Sequence, residues 1–137
     1  MNLFAYGTLM CPDILAEVAM PGLQGLPGVL HGYKRWTVKG EEYPAIRCHP
    51  DGRVQGMLYL DLPDHAWPRL DCFEGGMYLR ETLPVRLADG EAVTAETYVL
   101  REAFAHCLGS REWDFEAFLR HGKARFKTRY VGYNSLK

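Results

Sequence analysis

The sequence lacks most of the features that assign a protein to a specialised class. Its formal net charge is only −1, so it carries no excess of positive charge for binding nucleic acid or an anionic membrane. Its N-terminus, "MNLFAYGTLM", has no basic start and only a short apolar run, and no later stretch approaches the ~20 apolar residues of a membrane span. We therefore expect neither a nucleic-acid partner nor a membrane partner.

Cysteine and histidine are present but not clustered. No C-x-x-C pair occurs, and the cysteines are spread almost evenly over the chain, at Cys11, Cys48, Cys72 and Cys107. This spacing fits reduced thiols in a cytoplasmic protein better than a disulfide framework. The histidines show no metal-ligand spacing either, and neighbouring Cys and His side chains point apart on a strand or helix. We expect a cytoplasmic protein with no metal site.

The length and composition are those of a single globular domain covering residues 1–137. Hydrophobic residues make up 47% of the chain and charged residues 24%, and no repeat or linker interrupts it. The basic run "RHGKARFKTRY", which starts at Arg120, allows two interpretations: a phosphate-binding strip or a solvated face. No recognised nucleic-acid motif accompanies these charges, which favours the solvated face.

Alternating apolar and branched residues predict the strands. The segments are Asn2–Tyr6, Val29–Val38, "YPAIRC", "RVQGMLYLDL", and a hairpin of Tyr78–Leu87 with Ala92–Leu100 around "ADGE". "HPDG", from His49 to Gly52, predicts a turn, and the prolines and glycines between Pro21 and Gly28 predict a loop.

Three helices are predicted from capping residues and helical spacing. The first begins near Pro12, with an apolar face of Ile14, Leu15, Val18 and Ala19. The second runs from Pro63 to Glu74 and tolerates Pro68 near its first turn. The third is capped by Ser110 and turns Phe115, Phe118 and Leu119 inward. Strands and short helices in this order predict an α+β fold, arranged as a small barrel.

Glu74 occupies an unusual place for an acidic residue. It ends the second helix, where the helix field opposes a negative charge, and Asp71 lies three residues before it on the same face. Burial behind Phe73 would add to both effects and raise the pKa of Glu74 toward the range of a general base. The alternative is a surface glutamate at a frayed helix end.

The stretch "FAYGTLM" is the second candidate for chemistry. A strand that ends in Gly7-Thr8 exposes consecutive backbone N–H groups, which suit a carboxylate, and Thr8 adds a hydroxyl donor. The alternative is a plain strand-to-helix turn. Farther along the chain, Tyr78 and Arg80 share a strand face. They could steer a substrate, or be a packed ring and a solvated charge.

Taken together, these motifs resemble those of the gamma-glutamylcyclotransferase-like family, which includes gamma-glutamylamine cyclotransferases and many uncharacterised plant and prokaryotic members. The resemblance is carried by Y-G-T-L, a central Y-P-A (Tyr43, Pro44, Ala45), and L-D-x-F-E-G followed by a Tyr and an Arg. It covers roughly residues 1–100. The segment 101–137 matches no motif, and its role is open.

The resemblance implies a mixed-sheet β-barrel of about five to seven strands with two or three flanking short helices, and no metal or nucleotide cofactor. It also implies an enzyme that converts a gamma-glutamyl amine or amino acid to 5-oxoproline and a free amine. Glu74 would be the catalytic acid/base. The substrate-binding residues would be Tyr6, Gly7, Thr8 and Leu9 in the loop, together with Tyr78 and Tyr98.

Two other functions stay open at this level. Cys11 lies near a helix N-terminus that would lower its thiol pKa, and Cys72 adjoins Phe73, so a cysteine-dependent amidase is conceivable. A non-catalytic module that binds a small ligand or a partner on the same fold is the other alternative. The sequence does not identify the released amine or the oligomeric state.

Overall fold

The computed structural model describes residues 1–130, 132 and 136. Its strands are β1 (Leu3–Ala5), β2 (Gly25–Val38), β3 (Pro44–Tyr59), β4 (Tyr78–Leu87), β5 (Ala92–Leu100) and β6 (Leu108–Glu112). Its α-helices are α1 (Pro12–Val18), α2 (Ala66–Glu74), α3 (Phe115–Ala117) and α4 (Lys123–Arg129). Short 3₁₀ turns cover Thr8–Met10 and Glu102–Cys107, and a π-type turn, Phe118–Gly122, joins α3 to α4.

The strands form a closed mixed barrel. Their order is β3-β1-β5-β4-β2, and β2 also pairs with β3, which closes the ring, while β6 adds to the far part of β2. β1 runs antiparallel to β3 and parallel to β5. The α+β fold and the small mixed-sheet barrel with flanking short helices are therefore confirmed.

Both faces of β1 are buried, so its three residues are all apolar. Phe4 points into the barrel interior with Leu30, Ile46 and Val54. Leu3 and Ala5 point the other way, into a second apolar layer between the barrel and the helices. Both cores thus meet at β1, and the chain that leaves β1 emerges between the barrel and α2.

Several local signals give correct boundaries. Pro12 is the first residue of α1, and its buried residues are Ile14, Leu15 and Val18. Glu74 is the last residue of α2, which Gly75 ends with a φ of 80° that glycine adopts without strain. The β4–β5 hairpin has the predicted limits.

Two predicted breaks in the strands differ from the structure: the turn at residues 49–52, and the end of the loop before β2. β3 continues through the predicted turn "HPDG": His31 pairs with Arg53 and Tyr33 with Cys48, so residues 49–52 bulge opposite the single residue Gly32. The predicted loop also ends early, because β2 begins at Gly25. There the chain already pairs with Tyr59 of β3.

The third predicted helix begins later than expected. Ser110 lies in β6, which pairs with β2 through Trp36↔Glu112 and Val38↔Leu108. Asp114 is the residue that caps α3, accepting from the Glu116 amide at 2.9 Å. Phe118 is buried as expected, whereas Leu119 is 39% exposed. The error arises because pairing with a distant strand leaves no local signal.

α4 packs beside α1 through ion pairs that use the basic run. Lys123 and Lys127 contact Asp13 at 2.9 and 3.1 Å, and Lys127 also contacts Glu17 at 3.3 Å. The hydrogen bond from Lys123 is the main reason that the pKa of Asp13 falls to about 2. These cations pair with acidic neighbours, in keeping with a solvated protein face. No helix of the described residues is long and apolar enough to cross a membrane.

Candidate functional site

A narrow cavity lies where the chain leaves β1 and where α2 ends. Its volume is about 20 Å³, enough for roughly one water molecule. The lining residues come from β1, β3, α2, β4, β5, α4 and the loop after β1; they include Tyr6, Gly7, Thr8, Leu9, Tyr43, Pro44, Phe73, Glu74, Tyr78, Tyr98, Phe126 and Tyr130. All seven residues that the sequence predicted for the site thus line one cavity.

The loop after β1 folds as one tight turn. The Met10 amide donates to the Gly7 carbonyl at 3.0 Å, and the Cys11 amide donates to that of Thr8 at 3.1 Å. The first amides of such a turn, those of Thr8 and Leu9, have no acceptor within it. They are therefore the backbone donors that this loop can offer to a ligand.

Gly7 is required by a close contact between two of the motifs. A Cβ atom at this position would lie 2.8 Å from Cγ of Pro44, closer than real side chains approach. The carbonyl of Pro44 accepts a hydrogen bond from the Tyr78 hydroxyl at 2.7 Å. The Y-G-T-L loop, the Y-P-A segment and β4 are therefore fixed against one another.

Tyr6 anchors the start of the loop. Its hydroxyl donates to the Tyr98 carbonyl at 2.6 Å, and its own carbonyl accepts from Nη1 of Arg35 at 2.7 Å. Burial, and next the charge of Glu74, raise the pKa of Tyr6 well above its usual value. The phenol consequently stays neutral, and its ring forms a fixed wall.

Glu74 has the perturbed acidity that the sequence suggested. Glu74 is partly exposed at the end of α2, and its carboxyl group is nevertheless largely surrounded by protein atoms. Burial, and second the neighbouring charge of Asp71, raise the pKa of Glu74 from 4.5 to about 8. Among the described residues, no hydrogen bond or ion pair stabilises its carboxylate.

The tyrosine hydroxyls around the cavity are directed to other acceptors. Tyr98 donates to Oδ1 of Asp71 at 2.7 Å, and Tyr130 donates to the carbonyls of Phe73 at 2.6 Å and Glu74 at 3.1 Å. Burial is the largest cause that raises the pKa of each of these tyrosines, and the Glu74 charge adds to it. A negative charge on Glu74 therefore raises the pKa values of Tyr98 and Tyr130, although neither hydroxyl donates a hydrogen bond to its carboxylate.

Arg80 does not line the cavity, although it shares a strand face with Tyr78. Its guanidinium lies 4.9 Å from the centre of the Trp67 ring and pairs with Asp71 at 3.6 Å and Glu96 at 3.8 Å. Arg80 is therefore neither in the cavity nor a solvated charge, as the two interpretations had it, but part of a packed ion-pair network beside the site.

Sequence reasoning missed the contribution of α4. Two aromatic residues line the cavity from this side: Phe126 of α4, and Tyr130, which comes directly after the last residue of α4. Their rings stack with centroids 4.6 Å apart. The available signal was their i,i+4 spacing, which places two aromatic rings on one helix face. That spacing alone also fits an ordinary core helix, so it could not identify a cavity wall.

The geometry does not support Cys11 as a thiol nucleophile. Cys11 is buried, does not line the cavity, and has its thiol pKa raised to about 11, chiefly by burial. The expected lowering of this pKa by the helix N-terminus is therefore wrong. No group of three or more potential metal-ligating side chains converges among the residues described.

A second, wider pocket adjoins the cavity on the side toward the surface. Its volume is about 220 Å³, and it shares with the cavity the residues Tyr43, Phe73, Glu74, Tyr78 and Tyr130. Gly75, Gly76 and Met77 complete one side of it. Glu74 thus stands between a narrow inner space and an outer pocket that can hold a larger group.

Comparison with known proteins identifies the family. The model of the family described as "Gamma-glutamyl cyclotransferase, AIG2-like" matches residues 3–115. The Arabidopsis thaliana protein AIG2 C is 36% identical over 117 residues, which cover 84% of this chain and 70% of the relative. The A. thaliana AIG2-like protein C is 34% identical over 128 residues, covering 93% of this chain and 74% of the relative.

Solved structures share the fold. The solution structure of an A. thaliana protein superimposes with a TM-score of 0.72 at 32% identity, covering 93% of this chain and 78% of that one. A structure named gamma-glutamyl cyclotransferase superimposes with a TM-score of 0.66, covering 98% and 85%; at 15% identity it shows the fold alone. On the sequence match, the chain belongs to the gamma-glutamyl cyclotransferase, AIG2-like family.

Proposed function

We propose that the protein is a gamma-glutamyl cyclotransferase that converts a gamma-glutamyl amine or amino acid to 5-oxoproline and the free amine. The observation that carries this proposal is the shared cavity: the carboxyl of Glu74 and the loop Tyr6–Leu9 line the same narrow space. Membership in the family supports the reaction class.

The reaction needs no nucleophile from the protein. The α-amino nitrogen of the substrate attacks the γ-carbonyl carbon, a C–N bond forms and closes a five-membered lactam, and the original amide C–N bond breaks. Because nucleophile and carbonyl belong to one molecule, holding them in the right geometry supplies much of the rate, with effective molarities of roughly 10⁵–10⁸ M in favourable cases.

The α-amine arrives as an ammonium ion, so a base must first remove a proton. Glu74 takes that proton and returns it to the departing nitrogen as the amide C–N bond breaks. The second proton that the ring nitrogen loses as the lactam forms also passes to the released amine, which leaves as an ammonium ion, and Glu74 is again a carboxylate. The rise in the pKa of Glu74 from 4.5 to about 8 brings it nearer to the pKa of the substrate's ammonium group. With an ordinary glutamate at 4.5, the transfer would be less favourable by about 5 kcal/mol.

The loop supplies the polar contacts that the carboxyl cannot. The amides of Thr8 and Leu9, which have no acceptor within the turn, point to a role in binding the substrate's α-carboxylate or the developing oxyanion. The rings of Tyr78 and Tyr98 form apolar walls, since their hydroxyls already donate to Pro44 and Asp71. Such walls keep water away from the amine and the base during proton transfer.

A panel of gamma-glutamyl substrates, assayed for 5-oxoproline, tests the proposal. Glu74→Gln should retain the fold and bind 5-oxoproline but lose turnover by about 10²-fold or more. Glu91→Gln, in the exposed turn between β4 and β5, serves as the matched control and should keep full activity. Normal release of 5-oxoproline by the Glu74→Gln variant would refute the role of Glu74. Tight binding of 5-oxoproline without any turnover by the wild type would instead support the non-catalytic module.

A further inference from the structure

The cavity in this structure is too small for the substrate that the proposed function requires. A volume of about 20 Å³ accommodates roughly one water molecule, whereas a gamma-glutamyl group has a chain of five carbons with two polar ends. Some part of the wall must therefore move. The question is which part of the wall is the easiest to displace.

Most of the wall is held by the barrel or by the helix that carries Glu74. Tyr6, Tyr78 and Tyr98 belong to β1, β4 and β5 or follow them directly, and the ladder bonds of a closed barrel fix their backbones. α2 buries Trp67, Leu70 and Phe73 in the core. Displacing any of these elements would disrupt a core or a sheet.

The wall that α4 contributes is held differently. α4 is joined to α1 and to Glu42 by ion pairs between partly exposed side chains, including Arg125–Glu42 at 2.6 Å. Such pairs contribute little to stability in water. α4 also buries Phe126 in the core, whereas Tyr130, which follows the last residue of α4, is only half-buried. Tyr130 is therefore the part of this wall that can move at the lowest cost.

Tyr130 is the point where this wall meets the catalytic end of α2. Its hydroxyl donates to the carbonyls of Phe73 and Glu74, two of the final carbonyls of α2 that no intrahelical amide can reach. Its ring contacts the Phe73 ring at 4.9 Å and the Tyr43 ring at 5.1 Å. It lines both the inner cavity and the outer pocket.

We propose that Tyr130 is a positioning residue and the movable wall of the site. In the closed state it caps the end of α2 and so fixes the Glu74 carboxyl; to admit the gamma-glutamyl group it moves away from Phe73 and Glu74. The gating part of this proposal depends on the proposed function. The positioning part follows from the hydrogen bonds and ring contacts alone.

The closed state also requires a glycine at position 132. A Cβ atom at this residue would collide with the carbonyl oxygen of Phe73 and with the ring of Tyr130. The chain after α4 can approach the end of α2 only because a glycine stands there. Gly132→Ala should therefore weaken the closed state by displacing Tyr130 without replacing it.

The positioning role is tested without substrate, by carbon-13 NMR titration of the Glu74 carboxyl. In Tyr130→Ala, water reaches the carboxyl, and its pKa should fall by about one unit or more toward 4.5. Tyr130→Phe keeps the ring stacking and should change this pKa less. Tyr59→Phe, which removes the hydroxyl of another buried tyrosine away from the cavity, is the control and should leave it unchanged. An unchanged Glu74 pKa in Tyr130→Ala would overturn the proposal.

The gating role is tested by stopped-flow binding of 5-oxoproline. In the wild type, the observed rate should level off at high ligand concentration because opening limits entry; in Tyr130→Ala and Gly132→Ala it should rise linearly. In turnover, Tyr130→Phe should lower kcat about tenfold with KM within about twofold, as expected for a misplaced base. Identical binding kinetics in wild type and Tyr130→Ala would refute the gate. A wild type that neither binds 5-oxoproline nor turns over would refute the proposed function, while the titration would still decide the position of Tyr130.

Discussion

The raised pKa of Glu74 predicts a specific pH dependence of folding stability. The carboxyl has a pKa of about 8 in the folded protein and close to 4.5 in the unfolded chain. Between these values the folded state binds more protons than the unfolded state, so the free energy of unfolding decreases as the pH rises. Glu74 therefore destabilises the folded protein at neutral and alkaline pH, and this effect is absent well below pH 4.5.

Replacing Glu74 with Gln should remove that dependence. Over the whole window the titration is worth up to about 5 kcal/mol, and between pH 5 and pH 7.5 it amounts to about 3 kcal/mol. Gln resembles the neutral carboxylic acid in size and shape. We therefore expect Glu74→Gln to be more stable than the wild type by about 1 kcal/mol at pH 5 and by about 4 kcal/mol at pH 7.5.

Urea unfolding at several pH values measures this difference directly. Each stability is compared at the same pH, so the titration of histidines and other carboxylates cancels between the two proteins. Glu91→Gln controls for loss of one formal charge and should follow the wild-type curve. Parallel curves for wild type and Glu74→Gln from pH 5 to pH 7.5 would show that the carboxyl is not buried as described, and the acid/base proposal would lose its basis.

Three further predictions concern the rest of the site. Gly7→Ala should push the loop away from Pro44, with loss of activity and a destabilisation of about 1–3 kcal/mol in thermal or urea unfolding; wild-type activity would contradict the close contact. Asp71→Asn removes the like charge and should lower the pKa of Glu74, moving the acidic limb of the activity profile to lower pH; an unmoved limb would contradict this. Cys11→Ala should keep full activity, and mass spectrometry should find Cys11 unmodified by iodoacetamide at pH 7, because burial raises its thiol pKa to about 11.

The parts of the fold that were predictable are those encoded by neighbouring residues. The β4–β5 hairpin follows from alternation around a turn, and the end of α2 at Glu74 follows from Gly75. The errors lie where a distant strand overrides a local signal. Residues 49–52 look like a turn but stay within β3, because β2 pairs with the chain on both sides of them. β6 was missed because its partner, β2, is distant in sequence.

In the candidate site too, residues within a short motif were predictable and residues that the fold brings in from a distant segment were not. The loop Tyr6–Leu9 and Glu74 were found because each carries a short motif, and the motifs occur in a recognisable order. Phe126 and Tyr130 carry no motif, and only the path of α4 back across α1 brings them to the end of α2. Residues that enclose a catalytic group need only size and apolarity. Their identity is therefore hard to infer before the fold is known.

The enclosure of Glu74 connects its chemistry to the stability of the fold. A carboxyl at the end of α2 that was open to water would ionise near its ordinary pKa and would be a weak base toward an ammonium ion. Phe126 and Tyr130 help to exclude that water, and the same exclusion makes ionisation costly for the folded state. A variant that opens the aromatic wall should thus gain stability from Glu74 at neutral pH while losing the matched proton transfer. Activity and the Glu74 contribution to stability should consequently change in opposite directions across a series of Tyr130 variants.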